Sequence, residues 1–317
     1  MKCDGFPPKF RAEFPPCFKK YKRGYSHCNP GNIKELHYLA HRIKPTLLDG
    51  IELDYVHRLS PNKSINANWI LSHNKPSGFR FGGIFTALMH DDYMQTPTIR
   101  ADINPTTLSM NIGLLYYPFR CLRLETEMQR ASDEAPLQTQ TCIELCTNSS
   151  TLTTNLYEVR RDSGRATLSF VRSVSDHLAL GAELLLEWME PSSLMTDTAI
   201  AGRYKRHSYS VAATVSRQGI DVSYWQRIHR NIQMASLLAW HRKTDKSVGT
   251  ICYQWDFKDT HIRGTFDSNL SVGFMYTRFP PNIPLCMTFS LFTNLHTNKF
   301  IFGLKLILDP YGLRRGA

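Results

Sequence analysis

HLALGAELLLEW, residues 177–188, sets Leu178, Leu180, Ala182, Leu184, Leu186 and Trp188 against Glu183 and Glu187. A helix returns every third or fourth residue to one face, whereas a strand alternates at each step, so this stretch reads as a strand with one apolar face. The same period recurs on both sides of it. Ile65, Ala67, Trp69 and Leu71 alternate with Ser64, Asn66, Asn68 and Ser72. Leu137, Thr139, Thr141, Ile143 and Leu145 alternate with Gln138, Gln140, Cys142 and Glu144. Tyr209, Val211, Ala213 and Val215 stand against Ser208, Ser210, Ala212, Thr214 and Ser216, with a turn around Gln218 and Gly219. Leu270, Val272, Phe274 and Tyr276 oppose Ser271, Gly273, Met275 and Thr277, and a last run sets Phe300, Phe302, Leu304, Leu306 and Leu308 against Gly303 and Lys305.

From residue 49 to residue 308 such runs number about nineteen, or about 14 residues per strand and turn, the spacing of tilted strands that cross a bilayer. One apolar face per strand, repeated with no helix to cover it, has to be buried. In water that surface aggregates; in lipid it is an outer wall, and closing the sheet removes edges that hydrocarbon cannot satisfy. The expected fold is therefore an all-β membrane protein, a transmembrane β-barrel of about nineteen strands. A soluble sandwich would show fewer and less even strands. Tyr116, Tyr117, Trp188, Trp225, Trp240 and Trp255 fall near run ends and suit an interfacial girdle, ordinary packing being the alternative for each.

The bulk numbers agree. The 317 residues hold 42% hydrophobic side chains at a mean hydropathy of −0.31, and no stretch approaches the roughly 18 apolar residues of a spanning helix. Residues 1–28 carry seven Lys or Arg against Asp4 and Glu13, and Phe-Pro-Pro recurs at Phe6 and Phe14. That composition reads as an extended, mobile basic tail and lacks the apolar core of a secretory signal. Eight cysteines, Cys3, Cys17, Cys28, Cys121, Cys142, Cys146, Cys252 and Cys286, form no C-x-x-C pair and read as free thiols. His90-Asp91-Asp92 reads as a polar turn between strands rather than a metal site. No phosphate-binding loop, nucleophile elbow or zinc-protease motif is present, so neither an enzyme, a cofactor nor a metal is expected.

Ahead of the first strand, Asn29-Pro30-Gly31-Asn32 is a turn or cap, after which Ile33, Leu36, Tyr38, Leu39 and Ile43 recur at helical spacing until Lys44-Pro45. One helical segment over 29–45, lying in the lumen with Ile33, Leu36 and Leu39 on its packed face, is expected; a helix on the membrane surface is the alternative.

Those same residues resemble a known family. Asn29-Pro30-Gly31-Asn32-Ile33-Lys34-Glu35-Leu36-His37 followed by Asp49-Gly50-Ile51, the run Phe266-Asp267-Ser268-Asn269-Leu270-Ser271-Val272-Gly273, and Pro280-Pro281-Asn282-Ile283-Pro284-Leu285 with Asn298-Lys299-Phe300 and Gly303 are similar, in order and register, to the channel-forming subunits of the mitochondrial outer-membrane translocase, within the eukaryotic mitochondrial porin superfamily. The resemblance spans residues 29–308. It implies a nineteen-stranded barrel with first and last strands parallel, a pore for precursor proteins, assembly with receptors and small helical subunits, contact with membrane lipid, and a dimer or higher oligomer, with no nucleic-acid partner. Gly303, Leu306 and Leu308 match the family's C-terminal sorting signal; Ile301 stands where that signal is polar, and residues 309–317 add a tail.

An import pore should guide basic presequences without holding them, so weakly attractive acidic walls are expected. The strand phase turns Glu52, Asp54, Asp102, Glu125, Glu127, Glu144, Glu183, Glu187 and Asp221 away from lipid, which makes them candidates to line the pore and contact presequences; the alternative for each is pairing with a neighbouring Arg or Lys. The net charge of +11 bears on this, since Arg100, Arg120, Arg123, Arg172 and Arg227 would make the lumen mixed, and a basic lumen would favour anions as in a metabolite porin.

Overall fold

The computed structural model describes residues 29–60, 63–72, 77–86, 97–119, 121–132, 136–160, 163–189, 193–280 and 283–309. The basic tail 1–28, the His90-Asp91-Asp92 turn, Arg120, Cys3, Cys17, Cys28 and residues 310–317 lie outside them.

Among the described residues, nineteen strands form one closed sheet. They are β1 (Gly50–Ser60), β2 (Lys63–Leu71), β3 (Gly78–Thr86), β4 (Thr98–Ile103), β5 (Met110–Phe119) and β6 (Leu122–Arg130). Next come β7 (Gln138–Cys146), β8 (Ser150–Tyr157), β9 (Ser163–Ser173), β10 (Leu178–Met189), β11 (Ser193–Lys205), β12 (Tyr209–Ser216) and β13 (Gly219–Arg227). The sheet ends with β14 (Ile232–His241), β15 (Lys246–Asp256), β16 (Thr260–Asp267), β17 (Ser271–Arg278), β18 (Leu285–Asn294) and β19 (Lys299–Leu308). Each strand pairs antiparallel with the next, and β1 closes onto β19 in parallel, from Gly50 opposite Gly303 to Tyr55 opposite Leu308. An odd strand number forces one parallel seam, because the last strand of an up-and-down meander then runs the same way as the first.

Turns after odd-numbered strands make up one rim, here the first rim; turns after even-numbered strands, together with the start of β1, make up the second. Register fixes which side chains face in. Phe170, Leu180, Ile200, Val215, Ile251, Phe274, Leu291 and Phe302 share the outer face and are exposed. Their neighbours Ser169, Thr153, Ser210, Ser223, Thr265 and Ser290 face inward and are buried. Leu, Ile and Phe left uncovered around the whole circumference, over an interior of hydroxyls, is the arrangement of a wall in hydrocarbon around a polar lumen. On the outer face the Tyr253 ring lies over Gly264 and the Trp188 ring over Gly164, each glycine sitting opposite its aromatic in register.

Where one helix was expected over 29–45, the chain makes two short helical turns, a 3-10 turn at Ile33–Glu35 and α1 (Tyr38–His41). The contacts of this segment with the wall, described below, decide its shape, since neither turn is long enough to be stable by itself.

Candidate functional site

The inner segment starts at the first rim. Asn29 donates from Nδ2 to the carbonyls of Thr147 (2.7 Å) and Ser150 (3.2 Å) in the turn between β7 and β8, and its Oδ1 accepts from Thr151 Oγ1 at 2.8 Å. Asn32 caps the 3-10 turn by accepting from the Glu35 amide at 3.0 Å, while its Nδ2 donates to Glu144 at 2.9 Å. Ile33 and Leu36 are buried on Val171, Ala179, Ala201 and Ala212 of β9 to β12. Alanines there leave room for the segment's own side chains against the sheet.

His37 bridges two strands, with Nδ1 at 2.7 Å from Ser223 Oγ on β13 and Nε2 at 2.8 Å from Thr214 Oγ1 on β12. Burial holds its pKa below the ordinary imidazole value; His41 acts in the same direction, and Asp221 opposes both. Ala40 and Ile43 then pack on Trp225, Ala235 and Cys252, with Leu39 and Leu237 partly buried beside them. Finally Leu48 passes directly over β18 and β19: its amide donates to Ser290 Oγ at 2.9 Å, and the same hydroxyl donates to its carbonyl at 3.1 Å. The chain turns into β1 at Gly50, whose φ of +78° and 2.0 Å gap between a built Cβ and the Leu71 carbonyl admit only glycine. Residues 29–48 thus cross the lumen from rim to rim along the wall from β7 to β19.

Register places all nine sequence-nominated acids on the face that carries this segment. Five are in ion pairs. Lys305 lies 2.8 Å from Glu52 and 2.6 Å from Asp54 across the parallel seam, and Asn68 donates to both carboxylates. Asp102 meets Arg80 at 3.1 Å and accepts from Asn111, and Arg123 bridges Glu125 (2.5 Å) and Glu144 (2.8 Å).

Glu127, Glu183, Glu187 and Asp221 are not in those pairs. Glu127 and Glu187 line a cleft of about 400 Å³ at the second rim, with Glu158, Arg165, Tyr157 and Gln140. Glu183 lies two inward positions deeper on β10, within electrostatic reach of Lys34 and Arg165. Those two cations both approach the Tyr157 ring, at 5.7 and 5.8 Å from its centroid, and Lys34 donates to its hydroxyl at 3.0 Å.

Three placements differ from the sequence reading. Tyr117 and Trp225, expected in the girdle, face inward and are buried, Trp225 under Ala40 and Ile43. Arg172, expected in the lumen, stands opposite Leu180 on the outer face, while Arg100, Arg123 and Arg227 do face inward. The sequence pattern does not single out His37 as a contact to the wall, nor the Ala, Ser and Thr that receive the inner segment; their only local signal is small side chains such as Thr167, Ser169, Ala179, Ala201, Ser210, Ala212 and Ser223 recurring on the polar phase of neighbouring strands.

The eukaryotic porin family model matches residues 29–303. The mitochondrial import receptor subunit TOM40 homolog of Xenopus laevis is 25% identical over 287 residues, covering 88% of this chain and 84% of that protein. The Caenorhabditis briggsae protein of the same name is 24% identical over 296 residues, covering 88% and 94%. Among solved structures, a mutant porin of Rhodopseudomonas blastica is 11% identical with a TM-score of 0.47, covering 70% of this chain and 94% of that one.

Proposed function

The chain belongs to the eukaryotic porin family, and from that premise we propose that it is a protein-conducting channel of the mitochondrial outer membrane that admits precursor proteins. The observation that carries this reading is the breadth of the match: proteins named as import receptor subunits align along 88% of the chain. The family match, over residues 29–303, takes in the inner segment as well as the barrel, and that segment lies in the lumen. The barrel fold and the family point to passage rather than catalysis.

Glu127, Glu183, Glu187 and Asp221 are the residues proposed to contact presequences, because a carboxylate already held by Arg or Lys has less field to offer a passing cation. Glu52, Asp54, Asp102, Glu125 and Glu144 serve chiefly as wall pairs that passing chains exchange with transiently. Receptors, small helical subunits and further copies of the barrel are the proposed partners, and Gly303, Leu306 and Leu308 the proposed sorting signal. Leu306 and Leu308 face outward, whereas Gly303 faces Leu48.

A metabolite porin is the second reading, favoured by Arg100, Arg123, Arg165, Arg203, Arg227 and Arg263, which face the lumen among the carboxylates. Single channels in planar bilayers separate the two. Micromolar basic amphipathic peptide should interrupt the current, and Glu127→Gln, Glu183→Gln and Glu187→Gln together should raise the half-blocking concentration by about tenfold. Indifference to the peptide, with steep voltage gating and anion selectivity, would establish the porin instead.

A further inference from the structure

Among the described strand residues no Asp or Glu faces outward, and the cations that do are Lys63, Arg130, Arg172 and Arg278. Each sits at or beside a strand end. Three of the four lie at the first rim: Lys63 opens β2, Arg172 is the penultimate residue of β9 and Arg278 closes β17. Only Arg130 is at the second. Arg172 and Arg278 are exposed, and Lys63 extends along the outer wall with Nζ 5.6 Å from the centroid of the Phe85 ring, as a cation does when its stem lies on an apolar surface and its head reaches for water.

Outward aromatics lie beneath turn cations at both rims, as Trp240 does beside Arg242 and Lys243 at the second, so the wall cations are what set the first rim apart. Tyr204 and Tyr209 lie 6.1 Å apart on the outer face, and Tyr204 Oη accepts from Arg206 Nε at 3.0 Å in the following turn. Trp255 stacks on Phe257 at 4.7 Å, both remain more than two-fifths exposed, and Lys258 comes next in the chain. Aromatic rings at headgroup depth with cations just beyond them are the chemistry of an interface with anionic lipid.

We propose that the first rim binds the phosphate headgroups of anionic phospholipids through Lys63, Arg172 and Arg278 on the wall and Arg206 and Lys258 in the turns, so that this rim sits in the more anionic leaflet. The inference needs the barrel to lie in a bilayer but not to transport protein. The occupant is a lipid and not free phosphate, because the cations stand on the hydrocarbon side of the sheet.

The full chain, reconstituted in phosphatidylcholine with a minor share of phosphatidylglycerol, is probed with spin-labelled analogues of both lipids. Wild type should retain the anionic label preferentially, and the preference should fall with salt. Lys63→Gln, Arg172→Gln and Arg278→Gln should each lower it, by up to about fivefold per cation, the ratio that ~1 kcal/mol per headgroup-level cation represents, and the triple variant that combines them should lower it most. Arg130→Gln should leave most of it, and soluble glycerol phosphate should not compete. Strand circular dichroism confirms that each variant folds. No preference in wild type, an undiminished preference in the folded triple variant, an equal fall in Arg130→Gln, or displacement by glycerol phosphate would each overturn the proposal.

Discussion

Gly303 shows how one side chain's absence serves the whole path. A Cβ built there lies 2.4 Å from the Leu48 carbonyl oxygen and 2.5 Å from Leu48 Cβ, and Leu48 cannot easily yield while Ser290 holds both its amide and its carbonyl. Gly303→Ala should therefore cost about 1–3 kcal/mol by overpacking, and Ser290→Ala a similar amount by leaving two backbone groups unsatisfied, both measurable as lowered thermal midpoints of the refolded barrel. The sequence marks Gly303 only through its resemblance to a sorting signal; the crossing chain that excludes a side chain is a tertiary contact that no local pattern records. His37 is a second case. Burial lowers its pKa, so the docked segment favours the neutral ring: the stabilisation is whole above the free-imidazole value of 6.5 and is lost as pH falls below it. His41, lowered by burial and by Lys44, adds in the same direction, while Asp221 opposes both. Hydrogen exchange of the amides of residues 35–43, corrected for intrinsic rates, should accelerate at about pH 5.5 relative to neutrality, and His37→Gln with His41→Gln should remove most of that pH dependence. Equal exchange at both pH values in the native chain would contradict the assignment.

Among the elements, the strands were legible and the inner segment only partly so. Alternation survives in single-sequence form because lipid selects every second residue of each strand, as in β10, where all the even positions from Leu178 to Trp188 face outward. Position along a strand and phase across it disagree at two residues. Trp225 sits near the end of β13, as a girdle residue should, but shares phase with Ser223 and Asp221 and so faces in; Arg172 shares phase with Leu168 and Phe170 and so faces out. Ile33, Leu36, Leu39 and Ile43 repeat at helical spacing, yet two brief turns bent along a curved wall satisfy the same spacing, and wall contacts outweigh propensity over so few residues. At the seam, Lys305 ties β19 to β1 through Glu52 and Asp54. Its side chain is about one-fifth exposed, so screening by lumen water trims the pair's worth. Lys305→Met should still cost about 1–2 kcal/mol, since two carboxylates are left facing each other, and Glu52→Gln with Asp54→Asn in the Met background should recover much of it. Midpoints of heat denaturation for the four combinations close that cycle, and independence of the two changes would remove the seam's electrostatic role.

For the molecule as a whole, the inner segment makes the lumen lopsided. Between Asn29 and Leu48 it lies on the wall from β7 to β19, where Ala, Ser, Thr and Cys admit it closely, and it leaves to β1 through β6 a wall whose Arg, Glu and Asp, Glu127 apart, are largely held in pairs. Neither half can be told from the other by period or composition of a single strand, since both show the same alternation; the distinction is one of side-chain volume on the inward phase, read across neighbouring strands. If the segment narrows the passage, undocking it must widen it. Leu36 and Ile43 are almost wholly buried, one in each apolar contact of the segment with the wall. Leu36→Asp with Ile43→Asp would force carboxylates into those contacts and release the segment while the hydrogen-bonded wall, which closes on itself without it, stays intact. Single-channel conductance should then rise on the order of tens of per cent, the share of cross-section that a segment of helical width vacates, with added current noise as the freed chain moves. Since the acids proposed to meet presequences at the second rim, Glu127 and Glu187, lie on strands and not on the segment, block by basic peptide should persist in the wider pore. Unchanged conductance in a variant whose segment exchanges freely would show that the segment does not limit the passage.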